Sequence, residues 1–189
     1  MENETSFLKR DFTFIIEDSS FVVSVFDPQD EFHNDGVQVL NYLKAIITYS
    51  INSNKIDKNG IKIILPSLVL FETATTLLKK GIKVEEIEEK IWKLSHLTEI
   101  SIIEIPSLFF TRICTSPEKI KPLKTNDLLI CLTAIEYNGL ILTFDKKMWQ
   151  RVKEFYPYIY FCKKQEELKK FINELLCRGV SIPKNLLKI

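Results

Sequence analysis

The sequence has few residues of the kind that bind soft metals. It contains two histidines and four cysteines in 189 residues, and the cysteines, Cys114, Cys131, Cys162 and Cys177, form no C-x-x-C pair. This pattern provides no histidine or cysteine cluster for zinc. We expect reduced thiols in the core rather than a metal or disulfide role, with Cys131 and Cys177 on the apolar faces of two helices.

The sequence also lacks an apolar run long enough to cross a bilayer, and its N-terminus, MENETSFLKRD, is polar rather than a charged and then apolar export signal. Both features predict a cytoplasmic protein. With 189 residues, of which 46% are hydrophobic, the chain is long enough for a substantial core. We predict a single domain over residues 1–189, with residues 1–11 as an N-terminal arm and residues 163–189 as a C-terminal helix and tail.

The stretch TNDLLICLTAIEYNGLILTFD predicts a buried helix followed by a buried strand. Thr125 is expected to be the helix N-cap, and the Asn138-Gly139 pair to supply a left-handed C-cap. Leu140–Phe144 then reads as a strand with Asp145 at its carboxyl end. In a wound α/β unit the start of such a helix and the end of such a strand lie at the same edge of the sheet. Asp127, in the first helical turn, is therefore expected to lie near Asp145.

Two more acids fall at the same edge by the same argument. Asp18 follows a strand predicted over Phe12–Glu17, and Glu72 lies in the second turn of a helix that begins after a strand at Ile61–Leu65. Ligands of open α/β sheets bind at the carboxyl ends of the strands, where the strand order reverses. Four carboxylates at this edge predict a site.

The rest of the chain continues the alternation of strands and helices. Further helices are predicted at 21–26, 35–51, 84–96, 106–114, 146–155 and 165–177, and further strands at 99–105 and 158–162. The expected fold class is α/β, a three-layer α/β/α sandwich with a central parallel sheet of about five strands.

Four sequence blocks, taken together and in order, resemble the PIN-domain family of metal-dependent nucleases. They are IIEDSSFVVSVFDPQDEFH, LPSLVLFETATTLLKKG, LKTNDLLICLTAIEYNG and LILTFD, and with their flanks they span about residues 12–161. The resemblance implies a ribonuclease that is similar to the toxin of a toxin-antitoxin pair or to an RNA-processing enzyme. It also implies RNA as the substrate, Mg²⁺ or Mn²⁺ as the cofactor, an antitoxin or other protein as a partner, and a homodimer.

The carboxylates need such a cation, because several negative charges close together repel one another. Mg²⁺ prefers oxygen ligands and retains several waters, and Mn²⁺ accepts the same ligands. A metal-activated water would then hydrolyse a phosphodiester. We assign Asp18, Glu72, Asp127 and Asp145 as the metal-binding, catalytic carboxylates. Asp18 and Asp127 are expected to be direct ligands, Glu72 to bind directly or orient a water, and Asp145 to act through water.

Two hydroxyls accompany these acids in the matching blocks. Ser20 and Thr143 are expected to hydrogen-bond the metal ligands or the scissile phosphate, although a role as ordinary strand-end caps explains them equally well. The chain also departs from the family. Lys147 stands where some members carry another acid, which weakens the case for a second metal site. Glu17 replaces a usually apolar residue and, by strand alternation, is expected to point away from Asp18.

The formal net charge is only +1, but residues 146–189 carry +7 and residues 1–145 carry −6. A positive flank would draw phosphates toward a pocket whose own carboxylates repel them. A solvated helix with Lys and Glu at salt-bridging spacing explains the segment KKQEELKK as well or better.

Two alternatives to a ribonuclease remain. The first is a catalytically inactive module of the same fold that binds RNA or protein. The second, a metal-dependent phosphatase, is disfavoured because Glu17-Asp18-Ser19-Ser20 lacks the D-x-D pair of such enzymes.

Overall fold

The structure, a computed structural model, describes residues 12–52, 60–97, 100–104 and 123–187. The strands are β1 (Phe12–Glu17), β2 (Gly60–Pro66), β3 (Ile100–Ile103), β4 (Leu140–Thr143) and β5 (Ile159–Phe161). The helices are α1 (Ser19–Phe26), α2 (His33–Asn52), α3 (Ser67–Lys79), α4 (Val84–Ser95), α5 (Thr125–Tyr137), α6 (Lys146–Lys153) and α7 (Gln165–Cys177), followed by a 3-10 turn at Lys184–Leu187. The arm predicted at residues 1–11, the helix predicted at 106–114 and Cys114 lie outside the described residues.

The five strands form one parallel sheet in the order β3-β2-β1-β4-β5. Seven helices of the described segments flank it, so the predicted α/β/α sandwich is confirmed. The chain builds the sheet outward from β1 through β2 to β3, then returns to the other side of β1 with β4. The strand order therefore reverses between β1 and β4, which is where the carboxyl edge of such a sheet opens a crevice.

The centre of the sheet is held by apolar burial. In β1, Ile15 and Ile16 are fully buried, and the neighbouring strands contribute equally buried residues such as Leu65 and Leu142. Strands with both faces covered read as continuous apolar runs rather than alternating ones. The position of the strand ends is therefore fixed by a core that any shift of register would disrupt.

The junction between α5 and β4 is a tight helix-to-strand turn. Asn138 takes the left-handed conformation, with φ of 48°, and ends the helix as predicted. Gly139 is needed for space, because a Cβ there would lie 2.0 Å from Ile16 Cδ1 and 3.2 Å from Phe14 O. Asn138 therefore turns the chain, and Gly139 allows it to pass close to β1.

The start of the same helix differs from the prediction. Thr125 is already helical, and the N-cap is Lys124, whose side chain makes no capping hydrogen bond. The predicted Thr125 cap is therefore wrong. A hydroxyl caps a helix only from the extended residue that precedes the first turn, and here Lys124, with φ of −62° and ψ of 154°, is that residue.

Three further details were predicted wrongly. Helix α1 starts at Ser19 rather than Phe21, because the Asp18 side chain caps it. Strand β4 ends at Thr143, and Phe144 leaves the ladder to stack on the ring of Phe21 at 5.8 Å. Cys177 is exposed at the end of α7, whereas Cys131 and Cys162 are buried free thiols, as expected.

Within the described ranges, no helix combines the length and apolar character needed to span a membrane.

Candidate active site

Four acids from four separate elements line one pocket at the carboxyl edge of the sheet. They are Asp18, Glu72, Asp127 and Asp145, and the pocket, of about 310 Å³, is also lined by Ser20, Lys124 and Asn126. Asp18 follows β1, Asp145 follows β4, and these two strands are neighbours at the reversal of the strand order. The structure thus brings the four sequence-predicted residues together, while their roles in metal binding and catalysis stay predictions.

Asp18 is the most constrained of the four. Its side chain is only 3% exposed, and its Oδ1 accepts from the backbone amide of Phe21 at 2.8 Å. Ser20 Oγ lies 2.8 Å and 2.9 Å from the two carboxylate oxygens. Thr143 Oγ1 donates to Oδ2 at 2.6 Å. One carboxylate therefore caps α1 and joins β1 to β4.

The two hydroxyls connect this carboxylate to the backbone of β4 and beyond. Ser20 Oγ accepts from the amide of Phe144 at 2.9 Å, and Thr143 Oγ1 accepts from the amide of Asp145 at 2.8 Å. Each hydroxyl accepts from an amide and so has its proton free to donate to Asp18. Both hydroxyls therefore hold the Asp18 carboxylate in place. The contact of either hydroxyl with phosphate stays a prediction.

Burial and mutual repulsion both act on the acids. The pKa of Asp18 is raised to about 7, chiefly by burial, against the lowering effect of the hydrogen bonds from Thr143, Phe21 and Ser20. Burial also raises the pKa of Asp127, and the negative charges of Asp145 and Glu72 raise it further. A cation in the pocket would reverse both effects.

Asp145 has one oxygen committed to the fold. Its Oδ1 accepts from the amides of Lys147 at 2.7 Å and Met148 at 2.9 Å, which caps α6. Within the described part of the chain, Oδ2 makes no such bond. One oxygen of Asp145, which lines the pocket, thus stays outside the cap, and the expected action of this residue through water stays a prediction.

The donor set fits a hydrated hard cation better than a closed cage. Every donor supplied by the four acids, Ser20 and Thr143 is an oxygen, which is the ligand type that Mg²⁺ and Mn²⁺ prefer. Among the described residues, no three His, Cys, Asp or Glu side chains stand close enough to chelate one ion. An ion here would therefore keep much of its water, as Mg²⁺ does when a protein supplies only one or two carboxylates.

Glu17 is a second buried acid, next to Asp18. Its side chain is 2% exposed, and its Oε1 has no hydrogen-bond partner within the described residues. Burial, and then the charge of Asp18, raise the pKa of Glu17 to about 8. The sequence indicated a supporting residue that points away from Asp18; it did not indicate a buried carboxyl whose Oε1 has no partner in the described part of the chain.

Some cations of the basic C-terminal segment, residues 146–189, form ion pairs within the fold. Glu167 is buried and pairs with Lys170 at 2.8 Å, which supports the interpretation of KKQEELKK as a salt-bridged helix for that lysine. Glu167 also pairs with Lys153, which lies on the preceding helix α6. Lys124 and Arg151 are different, because both lower the pKa of Asp127 by their charge. The sequence analysis counted Arg151 only as part of the positive flank and did not single out Lys124. Lys124, directly before the helix of Asp127, was the available signal.

A comparison with protein-family models gives one match, described as PIN domain, over residues 15–154. The chain belongs to the PIN domain family, and the resemblance of its four blocks is confirmed. A search of the curated proteins found no match.

Among solved structures, the chain is similar to VapC20 of Mycobacterium tuberculosis, described as a toxin that cleaves the sarcin-ricin loop. The TM-score is 0.51 at 12% identity, covering 71% of this chain and 92% of that one. It is also similar to VapBC2 of Rickettsia felis, bound to a DNA fragment from its promoter, with a TM-score of 0.48 at 19% identity over 74% and 92% of the chains. The first likeness establishes a shared fold; the second is too weak to support a conclusion.

The buried acids make the stability of the metal-free protein depend on pH. The folded state keeps the proton of Glu17 up to a pKa of about 8, whereas the unfolded state releases it near 4.5. Stability should therefore be greatest below that interval and fall as the pH rises through it. Glu17→Gln, which cannot ionise, should reduce this fall and raise the melting temperature at the alkaline end by a few degrees.

The measurement is thermal unfolding with chelator across the interval. Glu88→Gln, on an exposed part of α4, is the control and should leave the slope unchanged. An equal slope in wild type and Glu17→Gln would show that the Glu17 carboxyl is not kept protonated by the fold.

Proposed function

We propose that this chain is an endoribonuclease that depends on Mg²⁺ or Mn²⁺ and hydrolyses RNA phosphodiester bonds with a metal-activated water. The observation that carries the proposal is the convergence of four carboxylates, from four separate elements, on one pocket in a chain of the PIN family. Acids gathered at such electrostatic cost are typical of functional sites rather than of packing.

The proposed role of each pocket residue follows from its contacts. Asp18 and Asp127 hold the cation directly, and Ser20 and Thr143 keep the carboxylate of Asp18 in one orientation. Glu72 binds directly or orients a water, and its partial exposure in the pocket supports that task. When bound, the cation supplies a water of lowered pKa and neutralises charge on the phosphate.

The substrate must approach four negative charges. Lys124 lines the pocket, and the charges of Lys124 and Arg151 reach Asp127. Both side chains are exposed, so their ammonium and guanidinium groups are available to phosphate oxygens. Lys124 therefore supplies a positive charge in the pocket and Arg151 a second one near Asp127. Lys153 and Lys170 instead form ion pairs with Glu167 within the fold.

A toxin role would add a protein partner. VapC20 is described as a toxin, and on that analogy we include an antitoxin-like inhibitor in the proposal. The alternative function is a catalytically inactive PIN-fold module that binds RNA or protein. It is favoured by one observation, that both oxygens of Asp18 are already hydrogen-bonded.

The proposal predicts metal-dependent RNA cleavage that requires the acids. Purified protein incubated with mixed RNA should cleave it in Mn²⁺ or Mg²⁺ and not in chelator. Asp18→Asn and Asp127→Asn should each lower the rate by at least about a hundredfold, because each removes a charge that holds the cation. Glu88→Gln should cleave like the wild type.

Three results would contradict this prediction. Cleavage that persists in chelator would remove the metal from the mechanism. Salt-dependent RNA binding without cleavage would favour the inactive module. Release of inorganic phosphate from a small ester, with intact RNA, would favour a phosphatase.

The support of Asp18 by Thr143 gives a second prediction. Thr143→Val keeps the size of the side chain but removes the hydroxyl that donates to Asp18 at 2.6 Å. Activity or metal affinity should fall about ten- to hundredfold, as it does when groups that orient metal ligands are lost. Thr143→Ser should restore most of it, because the hydroxyl returns.

The measurement is the cleavage rate as a function of Mn²⁺ concentration. A loss shared equally by Thr143→Val and Thr143→Ser would mean that the residue acts through packing of β4 and not through its hydrogen bond.

A further inference from the structure

Three phenylalanine rings, those of Phe21, Phe144 and Phe32, form a stack that runs from the core to the surface. Phe21 and Phe144 lie 5.8 Å apart with an interplanar angle of 19°, and Phe144 and Phe32 lie 5.1 Å apart at 10°. Phe21 and Phe144 are buried, whereas Phe32 is only partly buried. Because Phe144 directly precedes Asp145, the outer ring of the stack lies at the same edge of the sheet as the four acids.

The outer face of Phe32 carries a cation. Lys163 Nζ lies 4.6 Å from the centroid of that ring. Lys163 is exposed, and no carboxylate of the described residues pairs with it. An exposed cation–π contact is weak, and the stacking of a base on an aromatic ring is in general the stronger interaction, so a base can displace the lysine.

The loop that carries Phe32 is anchored by hydrogen bonds on both sides of this residue. The amide of Phe32 donates to Asp30 Oδ1 at 3.0 Å, and Lys80 Nζ pairs with the other oxygen of Asp30 at 2.7 Å. On the other side, His33 Nδ1 donates to Ser24 O at 2.8 Å. A platform fixed in this way loses little conformational freedom on binding, which favours affinity.

We propose that the outer face of Phe32 binds a base of the RNA strand that flanks the scissile phosphate, and that Lys163 moves from the ring to a phosphate of that strand. This inference rests on the proposed ribonuclease function. A base must leave its helix to stack on a side chain, so the substrate is a single strand or an unpaired loop. Every base has an aromatic face, so the position tolerates any sequence.

The test is a comparison of two ligands that differ only in their bases. Octauridylate and an abasic ribose-phosphate strand of the same length are titrated, by fluorescence anisotropy at one salt concentration, into protein that carries Asp127→Asn to prevent cleavage. Adding Phe32→Leu should weaken the octauridylate complex about five- to hundredfold and leave the abasic complex unchanged. Lys163→Gln should weaken both and reduce the salt dependence by about one ion.

Two variants control for effects on the fold. Phe32→Tyr keeps an aromatic face and should bind octauridylate nearly as the parent does. Phe12→Leu alters an exposed ring at the start of β1, the opposite edge of the sheet, where Lys62 Nζ lies 5.9 Å from the centroid. It should change neither affinity.

The outcomes separate the two proposals. If Phe32→Leu binds octauridylate like the parent, or weakens both ligands equally, the base-binding position is refuted while the ribonuclease proposal stands. If neither the parent nor the wild type binds RNA at all, both proposals are refuted together.

Discussion

The site depends on the hydrogen bond from Thr143 to Asp18, which joins the two strands that meet where the sheet changes direction. Asp18 is buried, and burial alone would favour the neutral, protonated form of its carboxyl. Three groups of the protein oppose that tendency by donating to its oxygens. The contrast with Glu17 is informative, because that neighbouring acid is buried to a similar degree and its Oε1 has no such donor within the described residues. Of the two acids, Asp18 is therefore the one whose charged form is stabilised by hydrogen-bond donors of the described residues.

Three kinds of side chain, acidic, cationic and aromatic, lie along one edge of the sheet. In the proposed function the acids would provide the charge that a hard cation requires, and Lys124 and Arg151, whose charges act on Asp127, would offset it for an approaching phosphate. The stack that ends at Phe32 presents an aromatic face held by its own loop. A strand of RNA offers the complementary features, since it carries phosphates and bases in regular alternation.

Much of this arrangement could be predicted from the sequence. The apolar runs located β1 and β4, with the end of β4 misplaced by one residue, and the connectivity of parallel strands then placed Asp18, Asp127 and Asp145 at one edge. What could not be predicted depends on contacts between distant parts of the chain. The Thr143 hydroxyl lies 125 residues from Asp18, and nothing local distinguishes it from a strand-end cap. The stack that ends at Phe32 could not be predicted either, because Phe32 lies in a polar loop and the stack becomes visible only when Phe144 is known to leave its strand.

The cation is the part of the account that can be tested most directly. Crystals grown with Mn²⁺ and measured at its absorption edge would locate the ion by anomalous scattering. The account predicts a peak inside the pocket, bound to Asp18 or Asp127 with water completing its coordination, and no peak there in Asp127→Asn crystals. A pocket without a peak at saturating Mn²⁺ would contradict the account.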